Sequence, residues 1–147
     1  MQVIPAHRDV DILVTGTQGN PLLIVEVKRR RFDQAARDQM SSYSRVVGAD
    51  FVMAVDLQRI LAAPTQDGSP NWARAVTLPT ASIIRHYTNF SEVAKIEGFY
   101  LESLIESWLR DFSYSWKHER PPGHEELEEI GLASRLRNSA AHAQAKL

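Results

Sequence analysis

Cysteine is absent from the 147 residues of this sequence, and that absence excludes two kinds of structure at once. Neither a disulfide framework nor a metal site with thiolate ligands can form. The sequence also lacks any apolar run close to the roughly 20 residues that a membrane helix needs, and its first residues lack a signal-peptide pattern. We therefore expect a cytoplasmic protein that does not bind a membrane.

Net charge is nearly absent as well, because 17 lysines and arginines stand against 18 aspartates and glutamates. A protein that binds long nucleic acids usually has a basic surface. The charge is uneven, however, with a basic excess in residues 1–48 and an acidic excess in residues 91–131. Arg29, Arg30 and Arg31 lie in the basic part, where they fit a solvated strand end and phosphate contacts equally well.

The first part of the chain has the pattern of a hairpin followed by a helix. Strands are predicted over Asp11–Thr15 and Leu22–Lys28, on either side of a connection rich in Gly, Asn and Pro. A helix is predicted over Asp33–Val47, with Gly48 as its C-terminal cap. Its apolar residues recur at helical spacing and form one stripe: Ala36, Met40, Tyr43 and Val47.

The middle of the chain predicts further strands. A buried strand is expected over residues 50–57, a second strand starts at Arg59, and an edge strand lies within residues 73–79. Residues 64–71 are predicted to be a surface loop, and the pattern of residues 80–87 does not decide between helix and strand.

The last part of the chain predicts helices. Asn89 and Glu92 have capping-box spacing and introduce a long helix that ends near Trp116. A final acidic helix is predicted over Glu125–Arg137, followed by a frayed tail. Strands followed by helices indicate a mixed α/β fold with one small sheet.

Two charged residues in the second predicted strand carry the functional argument. Glu26 and Lys28 lie two positions apart, so both point to the face that also carries Ile24. Charges in the inner part of a strand are costly to bury unless they are paired or bind an ion. The pair is therefore either a plain ion pair or part of a metal site.

Asp11 supplies the second carboxylate that a metal site requires. It precedes Glu26 by fifteen positions and reaches the same end of the hairpin if the turn lies near residues 18–20. These carboxylates, the backbone carbonyl of Val27 and water would suit Mg²⁺ or Mn²⁺. Lys28 could then stabilise negative charge on a phosphate, which favours phosphodiester hydrolysis. Asp9 is an alternative ligand on the same strand face.

This arrangement resembles the signature of the PD-(D/E)XK nuclease superfamily, whose fold is restriction-endonuclease-like. In that signature an Asp opens one core strand, Glu-x-Lys ends the next strand, and the following helix often carries Gln-x-x-x-Tyr. Asp11, Glu26, Lys28, Gln39 and Tyr43 match it in order. The resemblance covers residues 9 to about 56, and the remainder is similar to a bacterial branch of the superfamily without an assigned function.

The resemblance implies a role for each matching residue. Asp11, Glu26 and the Val27 carbonyl would hold Mg²⁺ or Mn²⁺, and Lys28 would be the catalytic lysine. Gln39, Tyr43 and Arg30 would support the site or contact DNA. Residues 1–117 would form the nuclease-like domain, with residues 118–147 as a C-terminal helical extension and tail of the same domain.

Two departures from the family pattern affect this expectation. Val10 stands where the motif has Pro, and only ten residues precede Asp11. Family members usually begin with a helix that often donates a further carboxylate. Here a C-terminal helix or a second subunit would have to take that place, or the site would be incomplete.

Alternative interpretations remain for the whole chain and for single residues. The same fold could serve as an inactive binding module that docks a partner or a second copy through the C-terminal helices, using the aliphatic face between Leu101 and Phe112. Hydrolysis of a small nucleotide is a third possibility. Tyr43 lies on the apolar stripe, where tyrosines more often belong to the core, and Glu26 with Lys28 could be an exposed pair.

Overall fold

A computed structural model describes residues 9–89, 96, 98–114 and 119–146. The strands are β1 (Asp9–Thr15), β2 (Pro21–Val27), β3 (Phe51–Val55), β4 (Arg59–Gln66), β5 (Ser69–Pro70), β6 (Val76–Pro79) and β7 (Ala140–Lys146). The helices are α1 (Gln34–Val47), α2 (Thr80–Ile84), α3 (Gly98–Ser113), α4 (His124–Glu128) and α5 (Leu132–Leu136), with a 3₁₀ turn at Trp72–Arg74.

The strands form one mixed sheet in the order β5-β4-β3-β2-β1-β7, and β6 also pairs with β4. β2 and β3 are parallel, whereas every other pair in the described chain is antiparallel. A parallel pair needs a long crossover connection, and α1 provides it between β2 and β3. The mixed α/β class and the antiparallel start of the sheet are therefore confirmed.

α1 forms where its caps and its apolar stripe agree. The Asp33 side chain accepts a hydrogen bond from the Ala36 N–H at 2.9 Å, which satisfies one of the free donors of the first turn. Gly48 ends the helix with a φ of 73°, a left-handed conformation that glycine adopts without steric cost. Met40 and Tyr43 are buried as predicted.

The core has two layers, one on each face of the sheet. The smaller cluster contains Ile24 together with the buried stripe of α1. The larger cluster contains Leu23 and Val25, with Val27 packed against it, and the apolar face of α3. The alternation predicted for β2 is thus confirmed, and two helices cover opposite faces of the strand that carries Glu26.

The aliphatic face of α3 is buried inside this core, which contradicts its proposed use as a docking surface. Its members are Leu101, Leu104, Ile105, Trp108 and Phe112. The Trp108 indole N–H also donates to the Pro122 carbonyl at 2.7 Å, so the largest side chain of this face has both a packing and a polar partner inside the chain. Among the described helices, none has the length and apolar composition to cross a membrane.

Three predicted elements differ from the structure. Residues 64–71 are a hairpin rather than a loop: β4 extends to Gln66 and pairs with β5 across Asp67 and Gly68. Both turn residues have positive φ, as a two-residue hairpin turn requires. The single helix predicted over Glu125–Arg137 is wrong, because Gly131 with a φ of 80° separates α4 from α5.

The predicted frayed tail is also wrong. Residues 140–146 form β7, which pairs with β1 in a register that includes Ile12 opposite Ala143. Residues 80–84, whose type was left open, form α2. The long helix is described as α3 only, while Glu92 of the predicted capping box and the predicted end at Trp116 lie outside the described residues.

Candidate metal centre

The register of the first hairpin places Asp11 beside Glu26. Ile12 pairs with Val25 across the antiparallel strands, and one step further along that register Asp11 lies opposite Glu26, where cross-strand partners share a face. The Asp11 carboxylate accepts a hydrogen bond from the Val27 N–H at 2.6 Å. Strand pairing alone therefore brings together the two predicted carboxylates and the backbone of Val27.

Glu26 lies in an environment that disfavours its charge. Burial is the main cause that raises its pKa to about 8, and the neighbouring Asp11 carboxylate raises it further, whereas Lys28 acts in the opposite direction. Its Oε1 atom is buried and accepts no hydrogen bond from the residues that the structure describes. A buried acceptor without a partner costs free energy, so this oxygen has an unused capacity to bind a cation or a donor.

Glu102 of α3 supplies a third carboxyl group. Sequence analysis considered a C-terminal helix in this place but did not identify Glu102. Burial, followed by the charge of Asp11 and a hydrogen bond with it, raises the pKa of Glu102 to about 7. Glu102 lies on the flank of the buried face of α3, next to Leu101. A C-terminal helix thus supplies a carboxylate to the site, which was one of the three expected alternatives.

Asp11 lies close enough to both glutamates to raise the pKa of each carboxyl group, as neighbouring carboxyl groups do. The raised pKa values favour the protonated forms of Glu26 and Glu102, and loss of those protons would leave mutually repelling carboxylates. Within the described ranges, no group of three or more histidine, cysteine, aspartate or glutamate side chains is arranged so that it could hold a metal ion.

Lys28 connects this cluster to a cavity. It follows the last residue of β2, its N–H donates to the Val55 carbonyl at 2.8 Å, and its charge acts on Glu26. The cavity has a volume of about 540 Å³ and lies along one flank of α1. Its polar lining includes Lys28, Arg30 and Gln39, so three of the predicted site residues face one space.

Gln39 and Tyr43 act as a pair. The Gln39 amide donates to the Tyr43 hydroxyl at 2.9 Å, as their i, i+4 spacing allows. Tyr43 is only 6% exposed and packs in the smaller core cluster, as the core interpretation predicted, whereas Gln39 reaches the cavity. The buried tyrosine therefore fixes the orientation of an amide that lines the cavity.

The set of residues that meet here differs from the predicted set by one residue. Glu102 joins it from α3, and the only sequence signal was a glutamate beside a buried helical stripe. The side chain of Asp9, the alternative ligand, lies outside the described part of the structure. No protein-family model, curated protein or solved structure matches this chain.

Proposed function

We propose that this protein is a metal-dependent nuclease that hydrolyses phosphodiester bonds in DNA, built on a restriction-endonuclease-like variant of the mixed α/β fold. The observation that carries the proposal is the meeting of three carboxyl groups from β1, β2 and α3 next to Lys28. Sites that polarise a phosphate need hard oxygen ligands and a nearby cationic side chain, and this cluster has both.

The residues fit Mg²⁺ or Mn²⁺ by their donor chemistry. Asp11, Glu26 and Glu102 provide carboxylate oxygens, including the unpartnered Oε1 of Glu26, and the Val27 carbonyl is adjacent. When bound, the cation would supply Lewis-acid polarisation of the phosphate and a lower pKa of water. Its binding would require the glutamates to release the protons that their raised pKa values retain.

Lys28 would stabilise the charge that develops on the phosphate. Its charge acts on Glu26 and it lines the cavity, so it could contact a phosphate that enters the cavity. Its backbone N–H donates to the Val55 carbonyl of β3, which fixes the position of the Lys28 backbone. A cation fixed in this way stabilises the transition state without reorganisation during the reaction.

Gln39 would orient the DNA rather than take part in the chemistry. Its amide is held by the buried Tyr43 hydroxyl and faces the same cavity as Lys28 and Arg30. Amide groups of this kind hydrogen-bond phosphate or sugar oxygens and fix the register of the substrate. Substituting Tyr43 with Phe would therefore weaken DNA positioning through Gln39.

Cleavage of labelled single- and double-stranded DNA with Mg²⁺ or Mn²⁺ tests this proposal. We expect Lys28→Ala to reduce cleavage by at least about 100-fold and Glu102→Gln to reduce it strongly. Glu125→Gln is the control, because Glu125 is exposed on α4 and its charge is not among the causes that raise the pKa of Glu26 or Glu102. Equal cleavage by wild type and Lys28→Ala would refute the proposal.

An inactive module for protein or nucleic-acid binding is the second candidate. It is favoured by the hydrogen bond that already occupies Asp11 and by the raised pKa values of Glu26 and Glu102, which disfavour the charged forms that a cation needs. The two candidates differ in one measurement that needs no DNA. A nuclease would show Mn²⁺-dependent stabilisation that Glu102→Gln abolishes, whereas an inactive module would unfold at the same temperature with and without Mn²⁺.

A further inference from the structure

Residues 28–32, which follow β2, form an arch. Its two ends are hydrogen-bonded to Val55, the last residue of β3, and to Asp56, the residue after it. At its start the Lys28 N–H donates to the Val55 carbonyl at 2.8 Å. At its end the Phe32 N–H donates to the Asp56 carboxylate at 3.0 Å. Because Val55 and Asp56 are consecutive residues, both ends of the arch are anchored at the end of β3.

Asp56, which anchors the second end of the arch, is buried and fully hydrogen-bonded. Asp56 is 1% exposed, and its other carboxylate oxygen accepts hydrogen bonds from the N–H groups of Gln58 and Arg59, each at 2.8 Å. Phe32 is buried and lies against Trp72 with 5.8 Å between ring centroids. Buried, fully hydrogen-bonded anchors of this kind hold one conformation, so the residues between them have little freedom.

The arch separates three consecutive arginines. Arg29 runs along the start of α3, where its Cγ lies 3.6 Å from the position that a Cβ on Gly98 would occupy. Arg30 and Arg31 are exposed and line the cavity that Lys28 also lines. All three side chains are exposed, but Arg30 and Arg31 line the cavity, whereas the Cγ of Arg29 lies against the start of α3.

Cationic side chains outnumber acidic side chains in the lining of the cavity beside the arch. Its two acidic lining residues are already engaged, because Asp33 caps α1 and Asp38 accepts a hydrogen bond from Gln34 at 3.0 Å. Arg30 and Arg31 have guanidinium groups, which bind phosphate through paired N–H donors. A polyanion that enters this cavity would meet Lys28, Arg30 and Arg31 in the same space.

We propose that the arch between Lys28 and Phe32 is a backbone-binding site for nucleic acid, in which Arg30 and Arg31 contact the phosphates next to the one at Lys28 and Arg29 does not. Asp56 is the positioning residue of this site, since its carboxylate holds the arch in place. The inference rests on the proposed function for the identity of the substrate, but it concerns binding and not cleavage.

Binding is measured by fluorescence anisotropy with short labelled single-stranded and duplex DNA, in EDTA, between about 50 and 200 mM salt. We expect the double variant Arg30→Gln/Arg31→Gln to bind at least about tenfold more weakly and to lower the salt dependence of log K by about one for each phosphate that the variant no longer binds. Arg29→Gln is the matched control for the single variants Arg30→Gln and Arg31→Gln, because each of the three removes one positive charge, and the affinity of Arg29→Gln should stay within about twofold of wild type.

The role of Asp56 is tested in a double-mutant cycle. If Asp56 acts through the arch, Asp56→Asn weakens DNA binding and the further loss caused by Arg30→Gln/Arg31→Gln becomes smaller in its background. Thr80→Val is the control, because the Thr80 hydroxyl bonds the Asp56 carbonyl at 2.8 Å and leaves the arch untouched. If Asp56→Asn does not fold, the three arginine variants still decide the proposal.

Equal losses for Arg29→Gln, Arg30→Gln and Arg31→Gln would overturn the arch, because general electrostatic attraction would then explain binding. Absence of salt-dependent DNA binding by wild type would overturn it too. Since EDTA removes divalent cations, a protein that binds as expected but never cleaves DNA with Mg²⁺ refutes the proposed nuclease and leaves the arch standing.

Discussion

At the scale of single residues, Glu26 is held in a place where its negative charge is unfavourable. Burial and the adjacent Asp11 carboxylate raise its pKa, and Lys28 offsets only part of that effect. Perturbed carboxyl groups of this kind concentrate at functional sites, although structural networks produce them too. The cost of the arrangement should be measurable in the metal-free protein as a loss of stability while the pH rises from about 4.5 to about 8.

We expect Glu26→Gln to stabilise the metal-free protein near pH 8 but not near pH 5. The folded-state pKa of Glu26, about 8, lies above the ordinary value of 4.5. Between these values the unfolded chain is ionised while the folded protein retains the proton, so the stability of wild type falls as pH rises through this window. Glutamine does not titrate, and the gain at pH 8 should be at least about 1.4 kcal/mol, the equivalent of one pKa unit.

Urea unfolding at the two pH values measures this difference, with Glu125→Gln as the control, because Glu125 is exposed on α4. If wild type and Glu26→Gln lose stability in parallel between pH 5 and pH 8, the pKa of Glu26 is not raised in the folded protein. At this scale the sequence predicted Asp11, Glu26 and Lys28 because strand alternation is a local rule. Glu102 was missed because its neighbourhood depends on how α3 packs.

At the scale of elements, glycines with positive φ decide where the C-terminal helices begin. The apolar spacing of Leu127, Ile130 and Leu136 continues across Gly131, and it therefore predicted one helix where the structure has two. Periodicity reports which residues face the core, but it does not report a left-handed residue between them. Gly123 and Gly131 have φ values of 79° and 80° and precede α4 and α5.

We expect Gly123→Ala to destabilise the protein more than Gly131→Ala. Both substitutions place a Cβ at positive φ, which costs about 1 kcal/mol. At Gly131 the new Cβ meets no atom within 4 Å, whereas at Gly123 it would lie 3.1 Å from Leu78 and 3.1 Å from Ile83. The extra crowding should add roughly 1–3 kcal/mol.

Thermal unfolding of the two variants under identical conditions tests this expectation. The comparison is internally matched, because backbone conformation and substitution are the same at both positions and only the surroundings differ. Equal losses of stability would mean that α4 does not pack against α2 and β6 as described. A larger loss for Gly131→Ala would mean that the break between α4 and α5 has a different origin.

At the scale of the whole molecule, β7 links the end of the chain to the strand that carries Asp11. The segment of residues 140–146 is rich in alanine and has no apolar stripe, which is why it was predicted to fray. Its strand conformation comes from pairing with β1, more than 120 residues away, and local patterns contain no record of such a partner. Sequence analysis therefore missed β7 because its strand conformation depends on a distant partner.

We expect truncation after Ser139 to destabilise the protein and to weaken the site. Removing β7 leaves one edge of β1 without its strand partner, since β7 is the neighbour of β1 on that side. A fall in Tm of at least about 3 °C, equivalent to roughly 1 kcal/mol for a chain of this size, is expected by differential scanning calorimetry. An unchanged Tm would show that the C-terminal segment does not contribute a strand in solution.

The most direct test of the metal centre is a crystal structure after a Mn²⁺ soak slightly above pH 8, where both glutamates are expected to ionise. The anomalous signal of manganese locates the ion without assumptions about its ligands. We expect a peak in contact with Asp11 and Glu26, with Glu102 directed towards it, and no such peak in Glu26→Gln crystals treated in the same way. Wild-type crystals without a peak there would contradict the metal centre.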